Sequence, residues 1–396
     1  MDPGRAHNST GKELSISELE VLQEYIPYIL NGDNLLLCTA TGDGKKSFFT
    51  VPIFVHLEVR DNPDLCKGFE AKKLPVGIIV TPTIGLAGNI VSELSKFDIC
   101  ALNFCHDTIT EARRNGTNLA DAVISCTKYR VVCVDPEHLH EKEWQIIMKS
   151  DTFCSNLVYA CVEEGHLINE WGASFRPCFK RIGQFLHGRI PSSCSIFVLS
   201  ATLQPGHATA SVCAMLGFRP DNFILLRRSN ERLDTHFAIE RLQHGVNSEA
   251  FPQLLPYLNS SRKSTVHCST IDEVYRVYVY LWSAEPDGTD HLCRVRMYFS
   301  LLTDEYNRET IRLLDDDPYC QIVIATVAFA NGINSTLLLD SYSIGAAKTM
   351  DQIWQEKGRV ARSLSLIGRS IVFVQQVMSK QPKSTWKRLD QRIVLS

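Results

Sequence analysis

The chain has 396 residues, of which 44% are hydrophobic and 21% are charged. This length exceeds what a single hydrophobic core usually supports, so two domains are expected. No apolar run approaches the roughly eighteen residues of a membrane span, so a soluble globular protein without a membrane partner is predicted. The formal net charge of -3 excludes a uniformly basic surface, and any contact with nucleic acid must therefore come from local clusters inside a groove.

The cysteines and the amino terminus favour a reducing compartment. The 14 cysteines are scattered singly without any C-x-x-C pair, so they are interpreted as buried apolar residues and no zinc is expected. Cys100, Cys105 and His106 lie close together but lack a second ligand pair at zinc-like spacing. Residues 1–12 are polar and lack the apolar core of a secretory signal. The protein is expected in the nucleus or the cytoplasm and not as a secreted protein.

Short runs of Val, Ile and Leu recur along the chain and alternate with longer mixed segments. This pattern predicts an α/β protein with mainly parallel sheets and crossover helices, one of them at 270–282. Because ligands bind at the carboxyl ends of such strands, functional residues are expected there. The predicted strands are at 34–38, 76–80, 131–134, 157–162, 196–199, 265–268, 294–299, 321–325, 337–342 and 370–374.

A polar, arginine-rich stretch at 227–232 interrupts the alternation and is interpreted as the connection between two domains. The residues at 285–288 supply turn chemistry within the second series. The predicted organisation is a first domain at 11–228, a linker at 229–236, a smaller second domain at 237–378 and a tail at 379–396.

The segment at 39–47 has the features of a phosphate-binding loop, because it follows a predicted strand and precedes an apolar helical stretch. Its glycines let backbone amides close around phosphate, and Lys45 is placed to reach the terminal phosphates. Lys46 stands where a Ser or Thr is expected, and Ser47 comes one position late. An ordinary glycine-rich turn is the alternative interpretation. The nucleotide-binding residues predicted in this loop are Thr41, Gly42, Asp43, Gly44, Lys45, Lys46 and Ser47.

Two adjacent carboxylates, Glu163 and Glu164, follow the predicted strand at 157–162. Phosphoryl transfer uses such groups, one to organise magnesium and one to polarise the attacking water. Glu163 is assigned to Mg2+, with Ser47 as a second candidate ligand, and Glu164 is assigned to the water. A solvated acidic patch is the alternative. The hydroxyl groups in the run 200–202 are predicted to form hydrogen bonds with this acidic motif.

Two further clusters carry side chains suited to phosphate and bases. Trp171, Phe175 and Arg176 follow the carboxylates and are predicted to stack on bases and contact the phosphate backbone, with core packing as the alternative. Arg359 and Arg362 lie three residues apart, on one face of a helix. They are predicted to enter the nucleotide cleft from the opposite lobe and to neutralise charge in the transition state, with a solvated helix end as the alternative.

In their order and spacing, these segments resemble the motifs of superfamily 2 helicases, and most closely those of the RecQ family of DNA helicases. The resemblance covers about residues 15–376. The segment at 41–45 resembles the nucleotide-binding motif, and the segment at 163–177 resembles the DEAH box joined to an aromatic-rich loop. The segments that resemble the remaining motifs are at 81–86, 129–139, 200–202, 266–270, 326–334 and 355–362.

The resemblance implies two tandem RecA-like domains of the P-loop NTPase fold, with ATP and Mg2+ bound between them. It implies 3'-5' movement on single-stranded or partly duplex DNA, and it adds Gln355 to the nucleotide-binding residues. Both glutamates and both arginines then act with Lys45 as the catalytic set. The nucleic-acid contacts that it adds to the aromatic loop are Thr81, Pro82, Thr326 and Asn334.

Several positions depart from the family pattern. Lys46 replaces the magnesium-binding hydroxyl, and Glu18 aligns with the glutamine that reads adenine. The other departures are Glu163 for Asp, Gly165 for Ala, Ala330 for Gly and Ala361 for Gly.

The segment after Arg362 contains no cysteine and leaves no room for the family's zinc-binding and winged-helix modules. Strand separation is therefore expected to be weak or to be supplied by a protein partner. Two alternative functions follow from these departures. One is a catalytically impaired helicase fold that binds nucleic acid or a partner without turnover, and the other is an unrelated P-loop enzyme such as a small-molecule kinase.

Overall fold

The computed structural model contains two parallel sheets of seven and six strands, each flanked by helices. The expected α/β class with two tandem parallel sheets is therefore confirmed. None of the helices in the described part of the chain is both long and apolar enough to cross a bilayer. The structure describes residues 16–40, 44–172, 176–232, 234–245, 247–258, 260, 262–285, 290–326, 335, 337–347, 349–361 and 366–375.

The first sheet has the strand order β3-β4-β2-β5-β6-β1-β7, and all of its strands are parallel. Its strands are β1 (Leu35–Cys38), β2 (Val76–Val80), β3 (Ala101–Phe104), β4 (Val131–Val134), β5 (Leu157–Val162), β6 (Ser195–Ser200) and β7 (Ile224–Arg227). The helices around it are α1 (Ile16–Leu30), α2 (Ser47–Asp61), α3 (Ile84–Ser95), α4 (His106–Arg114), α5 (Leu119–Ile124), α6 (Lys142–Ile147), α7 (Asp151–Asn156), α8 (Leu167–Gly172), α9 (Ile182–Arg189) and α10 (His207–Leu216).

Alternate side chains of the first sheet enter two separate hydrophobic layers. On β1, Leu36 packs into the layer that contains Trp144 of α6 and Phe185 of α9. Its neighbour Leu35 packs on the opposite face, in the layer that contains Phe48 of α2. Because both faces of a parallel sheet are covered by helices, its central strands are apolar at most positions, and this makes them recognisable in the sequence.

The second sheet is also parallel throughout and has the order β10-β11-β9-β12-β13-β8. Its strands are β8 (Thr235–Arg241), β9 (Lys263–His267), β10 (Val295–Tyr298), β11 (Ile322–Ala325), β12 (Leu338–Ile344) and β13 (Gly368–Val374). Its helices in the described residues are α11 (Leu255–Leu258), α12 (Ile271–Ala284), α13 (His291–Arg294), α14 (Asp304–Asp316) and α15 (Met350–Lys357).

Three strands that the sequence did not predict, β3, β7 and β8, lie at the edges of the two sheets. All but the first of the seven residues of β8 are exposed, so this strand lacks the apolar run of a central strand. Arg227 ends β7, so assigning it to the connection was wrong.

The two sheets divide between β7 and β8, at residues 228–234. The domain boundaries stay a prediction, and the first two residues of β8 fall within the range expected for the linker. Of the turn expected at 285–288, residues 286–288 lie outside the described residues.

Candidate active site

The predicted phosphate-binding loop connects β1 to α2 at the carboxyl edge of the first sheet. Gly44 has a φ of +66°, a left-handed conformation that glycine adopts without steric cost. Its carbonyl oxygen accepts the N–H of Ser47, the first residue of α2, at 2.8 Å. Lys45 Nζ donates to the carbonyl oxygen of Thr39 at 3.1 Å, so the ammonium lies against its own loop. Thr41, Gly42 and Asp43 lie outside the described residues.

Lys46 occupies the position before α2, where the family pattern places a hydroxyl. Its ammonium forms an ion pair with the carboxylate of Glu93 on α3. The ammonium is nevertheless close enough to Glu163 to stabilise that carboxylate electrostatically. A fixed positive charge thus lies beside the expected magnesium position.

The two predicted carboxylates follow β5 directly. Glu163 is buried, and its N–H donates to the carbonyl oxygen of Val80 at the end of β2, at 3.0 Å. Burial raises the pKa of Glu163, the neighbouring Glu164 raises it further, and Lys45 and Lys46 oppose the rise. Glu164 has a φ of +51°, and such strained backbone at a non-glycine residue is found most often at functional sites.

Magnesium fits the carboxylate side of this site. Glu163 Oε2 is buried and has no hydrogen-bond partner among the described residues, as expected of an oxygen that receives a cation. Within the same residues, no group of three or more His, Cys, Asp or Glu side chains is arranged as metal ligands. One carboxylate sharing the ion with phosphates and water is the usual arrangement for Mg2+ at a nucleotide. The loop side fits less well, because Lys46 supplies no oxygen there.

The second sheet contributes to the same site through α15 and the residues that follow it. Gln355 is buried, and its amide contacts the Nε2 atom of His166, which follows the two carboxylates. Arg359 is only 8% exposed. Burial lowers the pKa of this guanidinium, and the charges of Glu164 and Glu163 oppose the change. The cation of one lobe is therefore close enough to the carboxylates of the other for their charges to act on it, while its predicted companion Arg362 lies outside the described residues.

The comparisons with known proteins agree with this two-lobed arrangement. The sequence profile of the DEAD/DEAH box helicase family matches residues 20–209. The ATP-dependent DNA helicase RecQ of Bacillus subtilis is 23% identical over 323 residues, which cover 81% of this chain and 48% of that protein. A putative ATP-dependent RNA helicase of Acanthamoeba polyphaga mimivirus is 24% identical, over 86% of this chain and 55% of that protein.

The family match and the RecQ relatives support a divergent RecQ-like superfamily 2 helicase core. The chain spans about half the length of the relatives named above. The solved structures support the fold. The helicase MrfA bound to DNA has a TM-score of 0.66 at 17% identity, over 92% of this chain and 47% of MrfA. The DEAD-box helicase Mss116 bound to single-stranded RNA and UDP-BeF has a TM-score of 0.65 at 18% identity, over 92% of this chain and 70% of Mss116.

The Ser-Ala-Thr run at 200–202 begins at the end of β6 and contacts His166, which follows the two carboxylates. Ser200 Oγ lies 3.1 Å from Nδ1 of His166, the residue two positions after Glu164, so the contact with this segment is made to its histidine and not to the predicted carboxylates. The same oxygen accepts the N–H of Leu203 at 3.2 Å, which fixes the turn after β6. Thr202 Oγ1 is buried without a hydrogen-bond partner among the described residues.

Two departures of the helicase core from its family pattern have a local structural explanation. A Cβ atom at Gly165 would lie 2.3 Å from Cγ1 of Val198, so Val198 fills the space that an alanine at 165 would need. Ala361, in place of glycine, has a φ of +50°, which an L-residue adopts at a cost of about 1 kcal/mol. Its N–H donates to the carbonyl oxygen of Leu338 at 2.9 Å, a bond that holds it in this conformation.

Arg176, one of the predicted nucleic-acid contacts, is held by a carboxylate, a carbonyl group and two aromatic rings. Its guanidinium pairs with both carboxylate oxygens of Glu137, with Nε at 2.7 Å from Oε1, and also donates to the carbonyl oxygen of Pro82. It lies over the rings of Trp171 and Phe179, at 5.5 and 4.9 Å from their centroids. A phosphate would therefore have to compete with Glu137 for this cation.

The remaining predicted nucleic-acid contacts stay predictions. Thr81 and Pro82 are buried, whereas the next turn exposes Ile84. Thr326 is half-buried after β11, and its N–H donates to the carbonyl oxygen of Tyr298 at 3.3 Å. The predicted contacts that lie outside the described residues are Phe175 and Asn334.

Three charged residues that the sequence analysis did not single out contact the site residues or the segments that carry them. Glu93 pairs with Lys46 from the middle of α3, where no local pattern marks it. Arg232 binds the loop that carries Arg359, although it lies in the stretch read as a connection. Lys357 is a fully buried lysine at the end of α15. Their partners are distant in the sequence, so spacing alone gives no signal.

Proposed function

We propose that the chain is an ATP-dependent helicase or translocase that moves 3'-5' on single-stranded or partly duplex DNA. One observation carries the proposal: Arg359 of the second lobe is buried beside Glu163 and Glu164 of the first. Phosphoryl transfer depends on positioned charge, and an arginine that reaches the phosphates from a second lobe makes hydrolysis depend on closure of the cleft. That dependence is what a nucleic-acid motor requires.

Each polar group then has one task. Lys45 binds the terminal phosphates, and Glu163 organises Mg2+, which supplies charge neutralisation between the phosphate oxygens when bound. Glu164 orients and polarises the attacking water. Arg359, together with Arg362, neutralises the charge that develops on the transferred phosphoryl group. His166 and Gln355 link the acidic motif to the second lobe.

The choice of DNA rests on the RecQ relatives, which are named as DNA helicases, and the 3'-5' polarity rests on the resemblance of the sequence motifs to that family. RNA is the competing substrate, because one relative is named an RNA helicase and Mss116 is bound to RNA. The charge of this chain is compatible with either. A nuclear location belongs to the same proposal and is tested by imaging the tagged protein.

The test is ATP hydrolysis by the purified protein alone, with single-stranded DNA, and with RNA of matched length and sequence. We expect DNA to stimulate turnover more than RNA does, and Lys45→Ala and Glu164→Gln to reduce it to background. Lys149→Ala, at an exposed lysine, is the matched control. Faster displacement of streptavidin from the 5' end than from the 3' end would establish 3'-5' movement. The opposite bias, or stimulation by RNA alone, would contradict the proposal.

A second candidate function is a helicase fold that binds nucleic acid without turnover, and the Lys46–Glu93 ion pair favours it. An ammonium beside the metal position repels Mg2+ and offers it no oxygen. Affinity for a fluorescent ATP analogue is therefore measured with and without Mg2+ in wild type, Lys46→Ser and Glu93→Gln. If only Lys46→Ser shows Mg2+-dependent binding and turnover, the wild-type protein is the impaired form. DNA binding with no turnover in any variant identifies a binding scaffold.

A further inference from the structure

Arg232, in the connection between β7 and β8, contacts the loop that carries Arg359. Its Nη2 donates to the carbonyl oxygens of Val360 at 2.9 Å and Ala361 at 3.0 Å, and its Nη1 lies 3.5 Å from the carbonyl oxygen of Gly358. These three carbonyl groups flank Arg359 on both sides. One guanidinium therefore spans the backbone of the whole loop.

The loop follows the carboxyl end of α15, where backbone carbonyl groups lack partners within the helix. Gly358 is the C-cap of that helix. A cation at this end is favoured by the helix dipole, and a planar guanidinium can donate to several oxygens at once, whereas a lysine ammonium acts as a point charge. Arg232 therefore suits this place better than a lysine would.

Arg232 is itself held by Asp234, which is bonded to the second lobe. Its Nε and Nη2 donate to the two carboxylate oxygens of Asp234, at 2.7 and 2.8 Å. The carbonyl oxygen of Asp234 accepts the N–H of Gly368, the first residue of β13, at 2.7 Å. Arg232 is thus bonded to Asp234 on one side and to the loop that carries Arg359 on the other. The position of that loop therefore depends on the position of the connection between β7 and β8.

The contact lies where the two lobes meet. A small cavity beside Arg232 is lined by Ala40 and Thr202 of the first lobe and by Trp354 and Gly358 of the second. From the loop, Arg359 is buried near the carboxylates of the first lobe. The next residue, Val360, is fully buried in the core of the second lobe.

We infer that Arg232 is a positioning residue for Arg359. By binding the carbonyl groups around Arg359, it holds that guanidinium at the distance from Glu163 and Glu164 that ATP hydrolysis requires. The inference rests on the proposed function, in which Arg359 acts on the nucleotide. It adds that the connection between the lobes is part of the catalytic geometry, since closure of the cleft moves the connection and the arginine loop together.

The experiment is a double-mutant cycle of Arg232→Gln and Arg359→Ala, with kcat, KM for ATP and melting temperature measured for each protein. We expect Arg232→Gln to lower kcat on the order of tenfold to a hundredfold, as displacement of a catalytic group does, with little change in KM. In the Arg359→Ala background, Arg232→Gln should lower kcat no further. Arg232→Lys should give an intermediate kcat, and it serves in the cycle if Arg232→Gln does not fold.

The matched control is Arg262→Gln. Arg262 donates to the Asp340 carboxylate and to the carbonyl oxygens of Leu339 and Ile367, so it makes the same kinds of bond, but none to the carbonyl groups that flank Arg359. Its loss should lower the melting temperature and leave kcat nearly unchanged. If Arg232→Gln behaves like this control, or if its effect on kcat adds fully to that of Arg359→Ala, the positioning role is overturned.

Failure of the proposed function is distinguishable from failure of this inference. If the wild-type protein binds a non-hydrolysable ATP analogue without turning ATP over, the proposed function fails. The same cycle is then measured on the affinity for the analogue. Non-additive losses would still support the positioning role, and additive losses would overturn it. If wild type binds no nucleotide at all, both are overturned.

Discussion

The side chains of His166 and Gln355 meet across the cleft, one following the acidic motif of the first lobe and the other on α15 of the second. Burial lowers the pKa of His166 and so favours the neutral ring, although the charge of Glu164 opposes the shift. The Gln355 amide can only donate to Nε2, and this contact favours the tautomer with its proton on Nδ1, which lies 3.1 Å from Ser200 Oγ. A single chain of hydrogen bonds thus joins the end of β6, the acidic motif and the second lobe.

We expect His166→Ala and Gln355→Ala each to lower ATP turnover on the order of tenfold, because either change removes this buried link between lobes. Turnover and a double-mutant cycle measure the effect, and the double variant should be no worse than the poorer single variant. The control is Gln204→Ala, which removes the exposed inter-lobe bond to Asp351 at 3.1 Å. Equal losses in the control would mean that any inter-lobe contact serves as well.

Gly165→Ala is expected to destabilise the first lobe although it restores the residue of the family pattern. The added methyl would lie 2.3 Å from Cγ1 of Val198, and overpacking of a buried site costs about 1–3 kcal/mol. Urea unfolding measures the change. In a Val198→Ala background the same substitution should cost much less, since the opposing methyl groups are gone. An equal cost in both backgrounds would show that the two positions are not coupled.

The central strands and the first-lobe carboxylates could be predicted from the sequence for a simple physical reason. A strand of the first sheet that is covered on both faces is mostly apolar, so the polar residues that follow it stand out, as Glu163 and Glu164 do after β5. Edge strands such as β8 have no such signature. The order of polar and glycine-rich segments then supplied the resemblance to helicases.

The residues that hold the site residues in place, such as Glu93 and Arg232, could not be predicted, because their contacts are set by the tertiary structure. Lys46 and Glu93 are 47 residues apart, and Arg232 reaches a loop 126 to 129 residues away. No periodic pattern relates such positions. The left-handed φ of Ala361 is likewise held by a bond to the distant Leu338, and the sequence gives no sign of it. The parts of the site that lie on one element were therefore easier to predict than the parts that join elements.

Glu137→Gln is expected to increase the affinity for single-stranded DNA. The carboxylate of Glu137 holds the Arg176 guanidinium. Burial raises the pKa of Glu137, but the hydrogen bonds from Arg176 and Cys178 outweigh it and keep the pKa below its ordinary value. A neutral amide would leave the cation available to phosphate. The plot of log K against log salt concentration should then steepen by about 0.7, the contribution of one additional contact on a single strand.

Two variants test that assignment to Arg176. Arg176→Gln should weaken binding, and adding Glu137→Gln to it should have no further effect. The matched control is Glu143→Gln, which breaks the Arg113–Glu143 ion pair elsewhere on the first lobe. If both Glu→Gln changes raise the affinity equally, general charge explains the gain and Arg176 is not the contact.

Lys357 gives the second lobe a pH dependence. It is 1% exposed, and its Nζ atom donates to Ser343 Oγ at 2.9 Å and to the carbonyl oxygen of Ile371 at 3.1 Å. Burial lowers the pKa of Lys357 to about 7, although the charge of Glu356 opposes the shift. The folded form therefore favours the neutral amine, whereas the unfolded chain keeps an ordinary, higher pKa near 10.4.

Between these two pKa values the unfolded state binds more protons than the folded state, so this group adds stability as the pH rises above about 7. Lys357→Met removes the titration at similar size. We expect the free energy of unfolding of wild type, minus that of Lys357→Met, to increase from pH 7 to pH 9 by at most about 1.4 kcal/mol per pH unit. Lys149→Met, at an exposed lysine, should show no such trend, and parallel curves for all three proteins would mean that Lys357 keeps an ordinary pKa in the folded protein.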